Sequence, residues 1–211
     1  MTAFPFDALT PADRYKLMCA AVIPRPVAWI TSLDKAGVVN AAPFSFFNIF
    51  SEDPALVIIG MNRRPAGETK DTLNNIEATG EFTVNLADTA LAEKMVATAA
   101  GFPPGVSEPE VLGLALEPGE TIATPRLADA PVSLECKLFE ARAVGPERHL
   151  VIGEVVGLVA RDGLFDPETR RMTVPHYDPI VRLFATSYAR LHAPYEMPIP
   201  DWTTLTEPAG S

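Results

Sequence analysis

Two stretches of the chain combine residue types that could do chemistry. The first is Asn40-Ala41-Ala42-Pro43-Phe44-Ser45-Phe46-Phe47-Asn48. Asn40, Ser45 and Asn48 set hydrogen-bonding groups among phenylalanines, and the alanines let a flat ligand approach the backbone. That is the make-up of a mostly apolar pocket with a few placed polar groups. The plainer alternative is that Phe44, Phe46, Phe47 and Phe50 fill a core. The second stretch brings Arg63, Arg64, Lys70, Asp71 and Thr72 within ten residues, at the start of a helix. Cations beside helix N-terminal amides suit a phosphate. Asp71 would repel a phosphate, so it is expected to cap the helix or to orient Lys70 or an arginine. Lys70 and Thr72 are then the direct contacts. The plainer alternative is a solvated loop and a capped helix.

Other chemistry finds little support. His149 and His192 have no metal-like spacing, and no His/Cys/Asp cluster suits zinc. His176, in Val174-Pro175-His176-Tyr177, is the one histidine worth weighing, and a structural role is its simpler reading. Cys19 and Cys136 lie far apart with no Cys-x-x-Cys, which points to two buried free thiols. There is no Gly-x-Gly-x-x-Gly, P-loop or Gly-x-Ser-x-Gly.

These residues need elements to hold them. Residues 27–33 are apolar and β-branched, Asp34-Lys35-Ala36-Gly37 is a turn, and Val38 and Val39 restart an extended chain, so a β-hairpin is expected. Pro43 keeps the following segment from being a plain central strand. Thr10-Pro11-Ala12-Asp13 starts a helix reaching about Ala21. Residues 54–61 form a buried strand. A helix over 71–79 is capped by Asp71 or Thr69 and ends at Gly80. Residues 81–86 alternate as a half-buried strand. A helix over 88–100, capped by Asp88, buries Leu91, Met95 and Ala99. Residues 101–110 read as a loop, and 131–144 and 149–161 as a second hairpin. Short strands without βαβ alternation favour a mainly β fold, an antiparallel barrel with peripheral helices.

Composition sets outer limits. At 211 residues a single β-rich domain is expected, ordered over about 10–200. The net charge of −10 and pI of about 4.8 argue against nucleic acid as a partner. There are 21 prolines, about twice the usual share, and they punctuate loops. The N-terminal segment does not read as a signal peptide and no apolar run is long enough to span a bilayer, so no membrane partner and a cytoplasmic location are expected.

Four blocks in order carry a resemblance to a known family: Pro24-Arg25-Pro26-Val27 through Thr31; Asn40 through Phe47; Lys70-Asp71-Thr72-Leu73-Asn74-Asn75-Ile76; and Gly80 through Leu86. Together they resemble the flavin reductase-like family with the FMN-binding split-barrel fold, in particular its flavoredoxin-type members. The resemblance implies a split antiparallel β-barrel that binds FMN, with FAD possible, and takes hydride from NAD(P)H. It lays the 40–46 segment along the isoalloxazine ring, with amides of Ala41, Ala42, Phe44, Ser45 and Phe46 as donors, the Ser45 hydroxyl beside them and Pro43 shaping the turn. It gives Arg63, Lys70, Asp71 and Thr72 the phosphate end, and Thr31 and Ser32 the ribityl chain or phosphate. It sets His176 near the nicotinamide, and implies a homodimer and an oxygenase or other electron acceptor as partner. The alternative within the resemblance is an FMN-carrying electron-transfer protein with no nicotinamide site. Phe184-Ala185 stand where the family often has a glycine pair.

Overall fold

The structure is a computed structural model that describes residues 1–64, 67–173, 177–191 and 195–202. Helix α1 (Pro11–Ala21) starts where the Thr10 hydroxyl accepts the Asp13 amide. Strands β1 (Ala28–Leu33) and β2 (Val39–Phe44) form the expected hairpin. Its turn is held by Asp34, whose carboxylate accepts the amides of Ala36 and Val38 at 2.8 Å, and by Gly37 at φ +84. Next come β3 (Phe47–Glu52), β4 (Ala55–Asn62), α2 (Asp71–Thr79) and β5 (Glu81–Leu86). A 3-10 turn at Thr89–Leu91 runs into α3 (Ala92–Ala97), followed by α4 (Glu108–Leu112) and the paired β6 (Leu116–Glu117) and β7 (Arg126–Leu127). The long hairpin of β8 (Val132–Ala143) and β9 (Arg148–Ala160), then the paired β10 (Ile180–Arg182) and β11 (Tyr188–Arg190), complete the elements.

Seven strands make one antiparallel sheet in the order β2-β1-β5-β8-β9-β4-β3. Its two outermost strands are consecutive in the chain, joined only by Ser45 and Phe46. The sheet therefore has to curl until its ends meet, and the Gly60 amide of β4 donates to the Phe46 carbonyl at 2.7 Å, carrying the β3–β4 ladder into that join. Pro43 fits because β2 is an edge strand, where a missing N–H breaks no second ladder. Inside, Ala28, Ile30, Phe44, Ile59, Phe82, Val84 and Val151 pack with Leu73 and Ile76 of α2. Side-chain alternation turns Trp29 to the other face, where it packs with Leu91 and Met95 and donates Nε1–H to the Thr98 hydroxyl at 3.0 Å. Each large apolar side chain buried this fully contributes about 1.5–3 kcal/mol.

Three local expectations are corrected. Strand β5 is buried on both faces, because polar Thr83 and Asn85 lie under the 124–127 segment. Asn85 gives its amide to Trp29 O and accepts from the Leu127 amide and the Ser133 hydroxyl, so its polarity is satisfied without water. The 88–100 helix is split: Asp88 caps the 3-10 turn, α3 ends at Ala97, and Thr98, not Ala99, is buried, its hydroxyl donated to Met95 O. The 101–110 loop hides the start of α4, with Ser107 capping Glu110. Cys19 and Cys136 are free and buried.

Candidate functional site

The β2 edge is where the site is built. Asn40 donates Nδ2 to both carboxylate oxygens of Glu108 at 2.9 Å, the Ala41 amide donates to Glu108 Oε2 at 2.9 Å, and Thr72 donates its hydroxyl to Asn40 Oδ1 at 2.8 Å. This network ties β2 to α4 and to the first turn of α2. It also fixes which amides are spoken for. Ala41 points its N–H away from β1, so by strand alternation Ala42 and Phe44 point theirs into the β1 ladder. Of the five amides assigned to a ring, those of Ser45 and Phe46, in the barrel join, have no hydrogen bond among the described residues.

Glu108 is 5% exposed, and its burial pushes its carboxyl above the usual range. Its hydrogen bonds from the Ala41 amide, its own amide and Asn40 pull the other way, and the charge of Asp71 adds to the upward push. No sequence pattern singled out this residue, although Ser107-Glu108-Pro109-Glu110 is a readable helix start.

The cationic turn lies across the same cavity. A space of about 370 Å3 is lined by Asn40, Ala42, Pro43, Arg63, Arg64, Lys70, Asp71, Thr72 and Glu108, with residues 98–102 opposite. Neither Asp71 nor Thr69 caps α2. The N-cap position is Lys70, with no side-chain cap, Asp71 pairs with Arg64 at 2.5 Å, and Thr69 donates its hydroxyl to Asn74. The first amides of α2 are left facing a cavity edged with cations. Burial pulls the Lys70 ammonium below the usual lysine range, and repulsion from Arg64 and Arg148 pulls it further. Its Nζ sits 5.4 Å from the Phe44 ring centroid. Arg63 donates to Gly67 O at 2.8 Å, while its buried Nε has no partner among the described residues. An anion in this cavity would relieve the crowding and meet that donor.

A second cleft of about 220 Å3 adjoins the first, sharing Pro43, Asn62 and Ala99 and continuing along Phe44, Ser45 and Phe46. Its far wall is Tyr15, Arg148, Arg182 and Tyr188, none of which the sequence reading placed here. Tyr15 stacks on Phe46 with centroids 6.0 Å apart, and the Arg148 guanidinium lies 4.6 Å from the Phe46 centroid.

Some expected site residues lie elsewhere. Thr31 and Ser32 are fully buried behind β2: Thr31 donates to Pro125 O at 2.6 Å, and Ser32 accepts from Asn75 at 3.2 Å. Ala41 is fully buried as well, its amide taken by Glu108. His176 lies outside the described residues. Phe184 and Ala185 border a further cavity next to Tyr15. Among the described residues no His/Cys/Asp/Glu group suits a metal, and no helix is long and apolar enough to cross a membrane.

Known proteins share this sequence pattern and fold. A family model described as "Flavin reductase like domain" matches residues 20–178. The uncharacterized protein YwrF of Bacillus subtilis is 38% identical over 198 residues, covering 90% of this chain and 95% of its own. Two solved structures superpose with a TM-score of 0.88. The 2-nitrobenzoate 2-nitroreductase NbaA of Pseudomonas fluorescens is 37% identical and covers 99% of this chain and 100% of its own. Nitrilotriacetate monooxygenase component B of Bacillus cereus is 36% identical and covers 93% and 98%.

Proposed function

The chain belongs to the flavin reductase-like family, and from that membership and the geometry we propose that it binds FMN non-covalently across the two adjoining cavities and oxidises NAD(P)H. A flavin-related oxidoreductase with a split barrel follows from the family itself. The finer reading is supported above all by one observation: an uncapped helix start with Lys70 and Arg63 shares a cavity with the small-residue edge of β2. Lys70, Arg63 and the amides of Asp71 and Thr72 would hold the phosphate, a fit also open to the inner phosphate of FAD. The free amides of Ser45 and Phe46, with the Ser45 hydroxyl, would meet the polar edge of the ring. Pro43 and Ala42 let the ring lie close to the backbone. Thr72 and Asn40 act through the network that Glu108 anchors. The chemistry supplied by a bound flavin is two-electron exchange with a nicotinamide. The protein's part is to orient the two rings and shield them from water.

Two further parts of the proposal concern partners. Component B is named as part of a monooxygenase, so delivery of electrons to an oxygenase or another acceptor is included here. A homodimer is proposed on the apolar groove of about 430 Å3 between the end of α1 and β3, beside which Val22, Ile49 and Phe50 stand exposed.

The test is steady-state oxidation of NADH and of NADPH with FMN added. Turnover with either donor is the expected result. Tight FMN retention without turnover would replace the reductase by an electron carrier.

A further inference from the structure

We propose that a third cavity, of about 370 Å3 between α1 and the turn at residues 182–185, is an anion-selective subsite that takes a small planar aromatic carboxylate as second substrate. Its role as a substrate site rests on the flavin reading above; its preference for an aromatic anion rests on its own walls.

The first observation is an uncompensated buried cation. Arg25 lines the cavity and is 8% exposed. Its guanidinium donates to Cys19 O at 2.7 Å, to Val22 O at 2.6 Å and to Leu183 O, yet its Nε has no partner among the described residues. No carboxylate among the described residues pairs with it. A buried charge held only by carbonyl dipoles is costly unless an opposite charge completes it. The second observation is that a neighbour repeats the pattern. Arg182, which donates to the Tyr188 hydroxyl and to Ala185 O, has no carboxylate partner among the described residues either, and Lys16, paired with Asp13 at 3.4 Å, stands at the rim. In a chain of net charge −10, a cavity edged by Arg25, Arg182 and Lys16 with no acid among its described lining residues favours an anion.

The remaining walls set the ligand class. Tyr15 and Phe184 supply aromatic surface, and Cys19, Ala20 and Ala185 supply small apolar surface. The volume lies within the roughly 300–1,000 Å3 typical of small-molecule pockets. A ring stacks on such walls while its carboxylate is met by guanidinium donors, which favour planar anions. Tyr15, Ser45 and Arg182 also line the cleft proposed for the flavin ring, so a ligand here would adjoin it.

The test is isothermal titration of the purified protein with benzoate, benzamide and NADH, the flavin content of each sample being read first from its absorbance. Saturable benzoate binding is expected, with benzamide at least tenfold weaker. Arg182→Gln is expected to weaken benzoate by about tenfold or more and leave benzamide unchanged. Lys16→Ala, on exposed α1, is expected to show a smaller loss in the same direction, which separates charge from a folding defect in the first variant. Equal affinity for benzoate and benzamide, or benzoate binding indifferent to both substitutions, would overturn the proposal. So would NADH competing with benzoate and losing affinity by the same factor in Arg182→Gln, since the cavity would then serve the nucleotide. A flavin-free sample that still binds benzoate supports the subsite while counting against the flavin reading.

Discussion

Replacing Lys70 by alanine separates the phosphate end of the site from the ring end. Lys70 is half-buried in a cationic cluster, and burial followed by Arg64 and Arg148 lowers its pKa. A lysine whose folded pKa is depressed weakens the fold wherever it is charged, below that pKa, so removing it relieves a cost at neutral pH. Loss of its position over the Phe44 ring, 5.4 Å away, opposes this by about 0.5–1 kcal/mol. The two effects nearly cancel, and the ligand-free protein should change by no more than about 1 kcal/mol in urea unfolding. Binding is different. A charge-assisted contact to phosphate is worth about 1.5–3 kcal/mol, or about 10- to 150-fold in affinity. Fluorescence titration with FMN should show that loss, and riboflavin, which lacks the phosphate, should bind the variant as well as the parent. Equal losses for the two flavins would refute the placement of the phosphate at the α2 start.

Three further substitutions probe the frame. Glu108→Gln tests the anchor of β2: burial raises the Glu108 pKa above its ordinary 4.5, so its contribution to stability is full below that value and fades as pH rises through the folded pKa. Denaturant titrations across that window should show the decline in the parent relative to the variant; parallel profiles would mean Glu108 is not strained. Gly153→Ala would set a Cβ 2.3 Å from Phe82 Cζ in the closed core, so the melting temperature should fall by the equivalent of about 1–3 kcal/mol. An unchanged melting temperature would mean that Phe82 has room to move. Ser45→Ala should alter the absorbance of added flavin or its affinity with the circular dichroism spectrum intact; identical titrations would remove the hydroxyl from the site.

Local signals carried much of the frame. Thr10-Pro11, the Asp34–Gly37 turn and Gly80 at φ +75 each act within a few residues, so α1, the β1–β2 hairpin and the end of α2 were readable. The joining of Asn40, Lys70 and Thr72 around one cavity was also legible, through the four motif blocks. What escaped depends on contacts distant in sequence. Glu108 reaches Asn40 across 68 residues, and Thr31 meets Pro125 across 94, so neither the anchor of β2 nor the burial of Thr31 is written locally. Arg148 and Arg182 enter the site only because β9 and β10 return beside α1. The 81–86 alternation was misjudged because polar side chains satisfied by neighbouring backbone look, in sequence, like polar side chains facing water.

Every role assigned to the site depends on flavin binding in the cleft between β2 and α2. Its most direct measurement is the absorption spectrum of the purified protein, before and after adding FMN, with the chromophore released by denaturation and identified. A flavin spectrum from a chromophore identified as FMN, or saturable uptake of FMN by colourless protein, is the predicted result. Protein that is colourless and leaves the spectrum of added FMN unchanged would contradict it.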